Sequence, residues 1–160
     1  MVSNCLNKDE APTPKFGVWG EATYRLCSLR YQMPGEVPNG VYPELSYTII
    51  GVLFTVYNNL GPGHKEIYYQ KATAIALKAI NLSFKEQVYS PIKFKNNKVG
   101  NYYLDFLINN KVVLEIKSGE KFLKQNISQI YSYLKSTGLK LGILANFTKE
   151  GLKFKRILNL

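Results

Sequence analysis

The chain has 160 residues, of which 46% are hydrophobic, and these values are typical of a globular domain with one core. No apolar run reaches the roughly 18 residues that a membrane-spanning helix needs, and the first residues lack the basic and apolar blocks of a secretory signal. Cys5 and Cys27 both lie near the start, which excludes a disulfide framework or a cysteine zinc site in the remainder. The composition therefore predicts a cytoplasmic protein without a membrane anchor.

Positive charge is concentrated in the later part of the chain. Four basic and five acidic side chains precede Ser46, whereas 17 basic and six acidic ones follow from there, a net charge of +11. Such an excess favours a polyanionic partner such as nucleic acid. A lysine-rich surface that serves solubility explains the charge equally well.

The first 44 residues differ in composition from the rest. Residues 1–44 hold five of the seven prolines and show no sustained apolar period, which predicts an irregular N-terminal extension before a domain over residues 45–160. The domain opens with a predicted helix at 44–60, with Ser46 as a candidate N-cap. The sequence Gly61-Pro62-Gly63 ends this helix.

The remaining elements follow from periodicity and turn residues. A second helix is predicted at 64–81, with its buried side formed by Ala72, Ile75, Ala76, Ala79 and Ile80. Strands are predicted at 84–89, 102–108, 111–117, 141–147 and 152–158, and a third helix at 125–137. Its apolar stripe comprises Ile127, Ile130, Tyr131 and Leu134. The order α-α-β-β-β-α-β-β predicts an α/β fold of the α+β kind, with a mixed sheet packed against helices.

Three charged residues stand out in the hairpin formed by residues 102–117. They are Asp105, Glu115 and Lys117. Glu115 and Lys117 interrupt an otherwise apolar strand, where a charge is costly unless a partner satisfies it. A divalent cation between the two carboxylates would be such a partner, and the carbonyl of Ile116 could supply a further oxygen. Glu115 and Lys117 share one face of their strand because side chains alternate along it.

The turn of this hairpin decides whether Asp105 lies beside Glu115. A two-residue loop at 109–110 pairs Asp105 with Leu114 and puts the two acids on opposite faces of the sheet. A three-residue loop at 109–111, or a bulge before Asp105, pairs Asp105 with Glu115 instead. The sequence leaves both turns open, and also a plain surface hairpin with solvated charges.

Three further residues are candidates for the same site. Glu66 lies in the first turn of the second predicted helix, where it is either a third carboxylate near the metal or simply an acid that favours a helix N-terminus. Gln129 and Tyr133 lie four apart on the third helix and share a face set off from its apolar stripe. They could orient a metal-bound water or contact phosphate, or form an ordinary polar surface. His64 is assigned no chemistry.

Five motifs, taken in this order and spacing, resemble the small prokaryotic GxxExxY proteins, which are assigned to the PD-(D/E)XK nuclease superfamily. The resemblance covers about residues 45–158. The motifs are Gly63-x-x-Glu66-x-x-Tyr69, Tyr103-Leu-Asp-Phe-Leu-Ile108, Val113-Leu-Glu-Ile-Lys117, Gln129-x-x-x-Tyr133 and Leu139-Lys-Leu-Gly-Ile-Leu-Ala-Asn-Phe147. The resemblance implies a restriction-endonuclease-like core.

Carried over by position, Asp105 matches the first sheet acid of the family, Glu115 the second and Lys117 the motif lysine. Glu66 matches the helix glutamate, and the fourth motif matches the Gln-x-x-x-Tyr pattern of exonuclease-like branches. The Pro-Asp dipeptide of the superfamily is absent, since Leu104 precedes Asp105.

The resulting hypothesis is a divalent-metal-dependent nuclease that hydrolyses phosphodiester bonds in nucleic acid, with DNA as the expected substrate. Asp105 and Glu115 would hold Mg²⁺ or Mn²⁺, with Glu66 assisting directly or through water. Lys117 would position or activate the water, or stabilise charge on the phosphate. The alternatives are a non-catalytic nucleic-acid-binding module, such as a subunit of a repair or defence complex, and a basic protein whose partners are proteins.

Overall fold

The computed structural model describes residues 40–160, so the predicted extension lies outside the described residues up to position 39. Two helices come first, α1 at Pro43–Leu60 and α2 at Glu66–Ala79. Three strands follow, β1 at Phe84–Phe94, β2 at Asn97–Ile108 and β3 at Val112–Ser118. Helix α3 spans Lys124–Thr137, and strands β4 and β5 span Leu141–Thr148 and Gly151–Leu158. The predicted order of elements is confirmed, although β1 and β2 are longer than predicted.

The strands form one five-stranded sheet in the order β1-β2-β3-β4-β5. Strands β3 and β4 are parallel, and the other neighbouring pairs are antiparallel. Helix α3 makes the connection between β3 and β4, because parallel neighbours need a crossover rather than a tight turn. The predicted α+β fold with a mixed sheet is confirmed.

Helices cover both faces of the sheet and create two apolar cores. Side chains of α1 and α2 pack on one face, against residues that include Phe106, Leu114 and Ile116. Side chains of α3 pack on the other face, against residues that include Leu104, Val113 and Leu144. Gly142 lies directly under Ile130 of α3, and a β-carbon at this position would collide with that side chain. The glycine therefore lets α3 approach the sheet closely.

The start of α1 differs from the prediction. The helix begins at Pro43 with Tyr42 as its N-cap residue, whereas Ser46 is buried within the first turn and its N–H donates to the Tyr42 carbonyl at 2.9 Å. Proline suits the first helical position because its fixed φ is already helical and its missing N–H needs no partner.

The buried face of α2 also differs from the prediction. Tyr69, Thr73, Ala74 and Leu77 are buried, whereas Ile75 and Ile80 are exposed. The segment is rich in alanine and apolar on several sides, so its periodicity does not select one face. The ring of Tyr69 stacks on Phe147 of β4 with 4.1 Å between centroids, and this contact sets the rotation of the helix.

On α3, Tyr133 is buried and Tyr131 is exposed, the reverse of what its predicted apolar stripe implies. The buried stripe therefore turns toward Tyr133 and leaves Tyr131 outside it.

Among the described helices, none is long and apolar enough to cross a membrane.

Candidate active site

The β2–β3 hairpin has the three-residue turn. Ile108 pairs with Val112, so residues 109–111 form the loop. Asn109 and Asn110 have φ values of 50° and 53°, in the left-handed region that asparagine tolerates better than most residues. Continued along the strands, this register sets Asp105 opposite Glu115. Of the two turns that the sequence leaves open, the structure has the one that brings both acids together.

Backbone pairing between β2 and β3 ends at Phe106 and Leu114, and beyond them side chains make the connection. The N–H of Asp105 donates to Glu115 Oε2 at 3.2 Å, and the N–H of Ile116 donates to Asp105 Oδ2 at 2.7 Å. Each carboxylate is thus tied to the opposite strand at the point where the two strands separate. Both acids are buried, with 5% of Asp105 and 6% of Glu115 exposed.

Strand β2 is irregular at Asp105. Leu104 belongs to the core under α3 and Phe106 to the core under α1 and α2, although a regular strand would put both on one face. The residue facing Asp105 on β1 is Gln87, which has a φ of 51°. The local irregularity lets the Asp105 side chain reach helix α2, where Gln70 Nε2 donates to Asp105 Oδ1 at 2.7 Å.

Lys117 joins strand β3 to helix α2. Its Nζ lies 2.8 Å from Glu115 Oε1 and 3.0 Å from Glu66 Oε1. Burial lowers the pKa of Lys117, but hydrogen bonds and charges from Glu115 and Glu66 outweigh burial and raise the pKa above its usual value. The ammonium is therefore held charged between two carboxylates, at the partly open side of the cluster.

Gln70 is a site residue that the sequence interpretation missed. Besides its bond to Asp105, its Nε2 lies 3.4 Å from Glu66 Oε1, so one amide connects the helix acid to the first sheet acid. Its position four residues after Glu66 is the signal that could have found it, because residues four apart share a helix face. An uncharged glutamine on a helix does not otherwise suggest chemistry.

Tyr69 supports the site through the backbone of the preceding turn. Its hydroxyl donates to the Gly61 carbonyl at 2.7 Å and accepts from the His64 N–H at 3.3 Å. The turn also requires Gly63, whose φ of 89° is a conformation that side-chain-bearing residues rarely adopt. The ring is buried against Phe147 rather than beside Glu66. The Gly63-x-x-Glu66-x-x-Tyr69 spacing therefore combines a turn, a site carboxylate and a buried anchor.

Gln129 and Tyr133 are not bonded to the acidic cluster. Tyr133 is buried in the core under α3, where burial and then the neighbouring Tyr102 raise its pKa. The Tyr102 hydroxyl donates to the backbone carbonyl of Gln129 at 2.8 Å. Within residues 40–160, no hydrogen bond or ion pair connects either side chain to Asp105, Glu115 or Lys117, and their roles stay a prediction. Helix α3 does cover the sheet face that carries Val113.

Asn146 is a second polar residue that sequence interpretation gave no role. It lies on β4 in parallel register with Lys117, and only 1% of its surface is exposed. Neither its amide nitrogen nor its amide oxygen has a hydrogen-bond partner in the described structure. A buried amide without partners costs about 1–3 kcal/mol, so its retention beside the site lysine needs a reason. The signal in the sequence is one amide within an apolar strand.

The electrostatics of the two buried acids favour an additional positive charge. Burial raises the pKa of Asp105 to about 7, and the charge of Glu115 adds to this effect against the opposing influence of Ile116 N–H and Lys117. A cation that binds both carboxylates would relieve the repulsion between them. The Ile116 carbonyl points to the same strand edge as its N–H, toward Asp105, since both groups of a strand residue face one neighbour.

These oxygen donors fit a hard divalent cation such as Mg²⁺, which typically binds one or two carboxylates and retains several waters. In the described part of the chain, no group of three or more histidine, cysteine, aspartate or glutamate side chains is placed to hold a metal ion. Asp105 and Glu115 are the two buried carboxylates of the cluster, and their oxygens are suited to such a cation. Glu66 joins the cluster through Lys117 and Gln70, and its role as a ligand stays a prediction.

Two solved structures are similar to the chain. The first is the crystal structure of SSO0001, which is 18% identical in sequence, with a TM-score of 0.44. The similarity covers 74% of this chain and 60% of SSO0001. The alkaline exonuclease LHK-Exo from Laribacter hongkongensis is 11% identical, with 86% and 76% covered and a TM-score of 0.44. This chain thus spans only part of SSO0001. A search of the curated proteins finds no match.

The family comparison covers nearly all of the described residues. The sequence pattern of the PD-(D/E)XK nuclease superfamily matches residues 43–157, from the first helix to the last strand. This range contains the two buried acids, the lysine two residues after the second acid, and the helix glutamate bonded to that lysine. The chain therefore belongs to the PD-(D/E)XK nuclease superfamily.

Proposed function

We propose that the protein is a divalent-metal-dependent nuclease that hydrolyses phosphodiester bonds, with DNA as its substrate and the cytoplasm as its location. The observation that carries the proposal is the pair of buried carboxylates, Asp105 and Glu115, beside an ammonium held at 2.8 Å from Glu115. Superfamily membership supports nuclease chemistry. A bound Mg²⁺ or Mn²⁺ would lower the pKa of a water and neutralise charge on the phosphate.

Each residue of the cluster has a distinct part in this proposal. Asp105 and Glu115 bind the cation, and Lys117 donates to the attacking water or to a phosphate oxygen where negative charge develops. Glu66 holds Lys117 in place, and Gln70 fixes the orientation of the Asp105 carboxylate. Both supports come from α2, so the helix keeps the catalytic groups rigid before substrate binds.

Gln129 and Tyr133 are proposed to contact the substrate or its attacking water from helix α3. The support for this role is their motif spacing and their place on the helix that covers the Val113 face of the sheet. Within the superfamily, we further propose that the chain is a GxxExxY protein. The turn at Gly63, the contact of Glu66 with Lys117 and the anchoring of Tyr69 support this narrower assignment.

The direct test is incubation of the purified full chain with single- and double-stranded DNA and RNA, in Mg²⁺, Mn²⁺ or EDTA. We expect cleavage of DNA with either metal and none in EDTA, since without the cation nothing lowers the pKa of the attacking water or neutralises charge on the phosphate. Cleavage that persists in EDTA would contradict the metal role. Salt-sensitive binding without any product, on every substrate, would favour the non-catalytic binding module instead.

Asn146→Leu is expected to separate stability from activity. Removing an unpartnered buried amide should leave the free energy of unfolding unchanged or raise it by about 1 kcal/mol, because no hydrogen bond is lost. Cleavage should fall at least about tenfold if the amide positions the phosphate or water beside Lys117. Denaturant unfolding and single-turnover cleavage measure the two effects.

Asn159→Leu is the matched control for this change. The amide of Asn159 donates to the carbonyls of Leu134 at 3.2 Å and Leu139 at 3.1 Å, so its replacement should lower stability and preserve cleavage. If Asn146→Leu instead loses stability and retains full activity, the amide has a structural role and its part in the site is refuted.

A further inference from the structure

The β1–β2 hairpin extends well past the rest of the sheet. Strand β2 pairs with β3 only over residues 106–108, whereas it pairs with β1 along nearly its whole length. We call residues 88–104 the arm. It contains three lysines and no acidic residue. The arm is thus a two-stranded ribbon of positive charge that begins where Asp105 stands.

One face of the arm is packed against the body of the protein. Val88 and Tyr102 contact the core under α3, Ser90 is buried, and the Tyr102 hydroxyl bonds to the Gln129 carbonyl. This face fixes the orientation of the arm relative to α3. Within residues 40–160, the opposite face carries exposed aromatic side chains instead.

The opposite face carries a pair of tyrosines and a lysine. Tyr89 and Tyr103 are paired across the strands, 45% and 53% exposed, with their ring centroids 5.8 Å apart. Lys98 Nζ lies 5.2 Å from the centre of the Tyr89 ring. At the tip, Phe94 is exposed beside Lys95, whose Nζ is 5.6 Å from its ring centre. Exposed aromatic rings next to ammonium groups are unusual on a surface that no partner covers.

This face leads directly to the acidic cluster. Tyr103 precedes Asp105 by two residues on the same strand, a separation of about 7 Å along it. The tyrosine face is the one turned away from α3, and Asp105 is bonded to Gln70 of α2, the helix on the side of the sheet opposite α3. A partner that lies on the two tyrosines would therefore reach the carboxylates of Asp105 and Glu115 without changing direction.

The chemistry of this face suits a polyanion with unpaired bases better than it suits another protein. The three lysines suit phosphates, and exposed aromatic rings offer stacking surfaces for bases that are not paired in a duplex. Addition of a second copy along the free edge of β1 is disfavoured, because Pro91 and Lys93 on this edge strand oppose strand pairing.

We propose that the arm binds a single-stranded segment of nucleic acid next to the active site, with bases stacked on Tyr89 and Tyr103 and phosphates bound by Lys98. This proposal rests on the proposed function and specifies its substrate as nucleic acid with an unpaired end or region. The arm would hold the strand while its neighbouring phosphate lies at Asp105 and Glu115.

The test measures binding in EDTA, where no cleavage interferes, by fluorescence anisotropy of the full chain. The probes are a labelled oligothymidylate and a labelled duplex of the same length. Tyr89→Ala/Tyr103→Ala should weaken binding of the single strand at least about 20-fold, as expected for two lost base stacks, and affect the duplex much less. Lys98→Ala should lower the salt dependence of single-strand binding by about one phosphate contact.

Tyr131→Ala on α3 is the matched control, since Tyr131 is also exposed and has Lys135 Nζ 5.6 Å from its ring. It should leave single-strand binding unchanged. Equal loss for the control, equal loss for the duplex, or no loss for the arm variant would overturn the proposal. So would a change in sedimentation coefficient of the arm variant with unchanged binding, which would identify a contact between copies.

The outcomes also separate this proposal from that of the nuclease. If the arm variant loses single-strand binding and the unaltered protein cleaves nothing in Mg²⁺ or Mn²⁺, the arm proposal stands and the nuclease proposal fails. If the unaltered protein cleaves and the arm variant binds as well as before, only the arm proposal fails.

Discussion

Lys117→Ala is expected to lower the rate of phosphodiester cleavage at least about 100- to 1,000-fold at saturating Mg²⁺. Among the charged side chains of the described cluster, the Lys117 ammonium is the one that can donate hydrogen bonds to water or phosphate while Asp105 and Glu115 are bound to a cation. Its loss should reduce kcat rather than substrate affinity, because the stabilised charge develops during the reaction. Single-turnover cleavage of labelled DNA measures the effect.

The same substitution has a second consequence for the protein without metal. Lys117 neutralises Glu115 and Glu66, and removal of one partner of a partly buried ion pair leaves a carboxylate without its counter-charge. Stability should therefore fall in EDTA and recover when Mg²⁺ is added. This recovery separates a folded, inactive enzyme from an unfolded one.

Lys111→Ala is the matched control for Lys117→Ala. Lys111 lies in the hairpin turn at the other end of β3, with its Nζ 5.5 Å from the centre of the Tyr42 ring. Its removal deletes the same charge and should leave the rate of cleavage near that of the unaltered protein. A purified Lys117→Ala protein that cleaves as fast as this control would refute the catalytic assignment.

Asp105→Asn is expected to stabilise the protein in EDTA and to abolish its response to Mg²⁺. The free energy of unfolding at pH 8 should rise by about 1–3 kcal/mol, since a charge that burial and Glu115 both disfavour is removed. The asparagine oxygen can still accept from the Ile116 N–H, and the Gln70 amide can rotate to accept from the new amide group. Denaturant unfolding with and without Mg²⁺ measures both effects.

The pH dependence of this gain has a definite sign. The folded pKa of Asp105, raised to about 7, lies above the ordinary value of 3.8, so the folded state retains a proton that the unfolded state has already lost. Stability of the unaltered protein in EDTA therefore falls as pH rises from about 4 through about 7. The advantage of Asp105→Asn should be large at pH 8 and small at pH 4. An equal difference at both pH values would contradict the electrostatic explanation.

The order of elements was predictable because periodicity and turn residues mark it directly. The arm was underestimated, since exposed lysines, Pro91 and two asparagines in its distal half read as a loop. Pairing between the two strands and the contacts of Val88 and Tyr102 with the core under α3 make it a ribbon. Such contacts come from tertiary structure and have no local signature.

The charged part of the candidate site was also visible in the sequence, because charges in apolar strands are rare and costly. The meeting of these charges at one point was not visible in the sequence, since Asn109 and Asn110 suit both a two- and a three-residue loop. Gln70 and Asn146 escaped attention for another reason. Neutral amides cost little on an exposed surface, and only the folded chain shows that Gln70 bonds to Asp105 and that Asn146 lies in register with Lys117, buried and without a partner among the described residues.

The three-residue turn at 109–111 has a consequence for how this protein can diverge. Insertion or deletion of one residue there would slide β3 past β2 by a single position and exchange the faces of every side chain beyond it. Asparagine could be exchanged for other residues in the turn with a modest loss of stability, but the length of the turn is fixed by the need to set Asp105 opposite Glu115. Evolution can therefore vary the composition of this loop far more freely than its residue count.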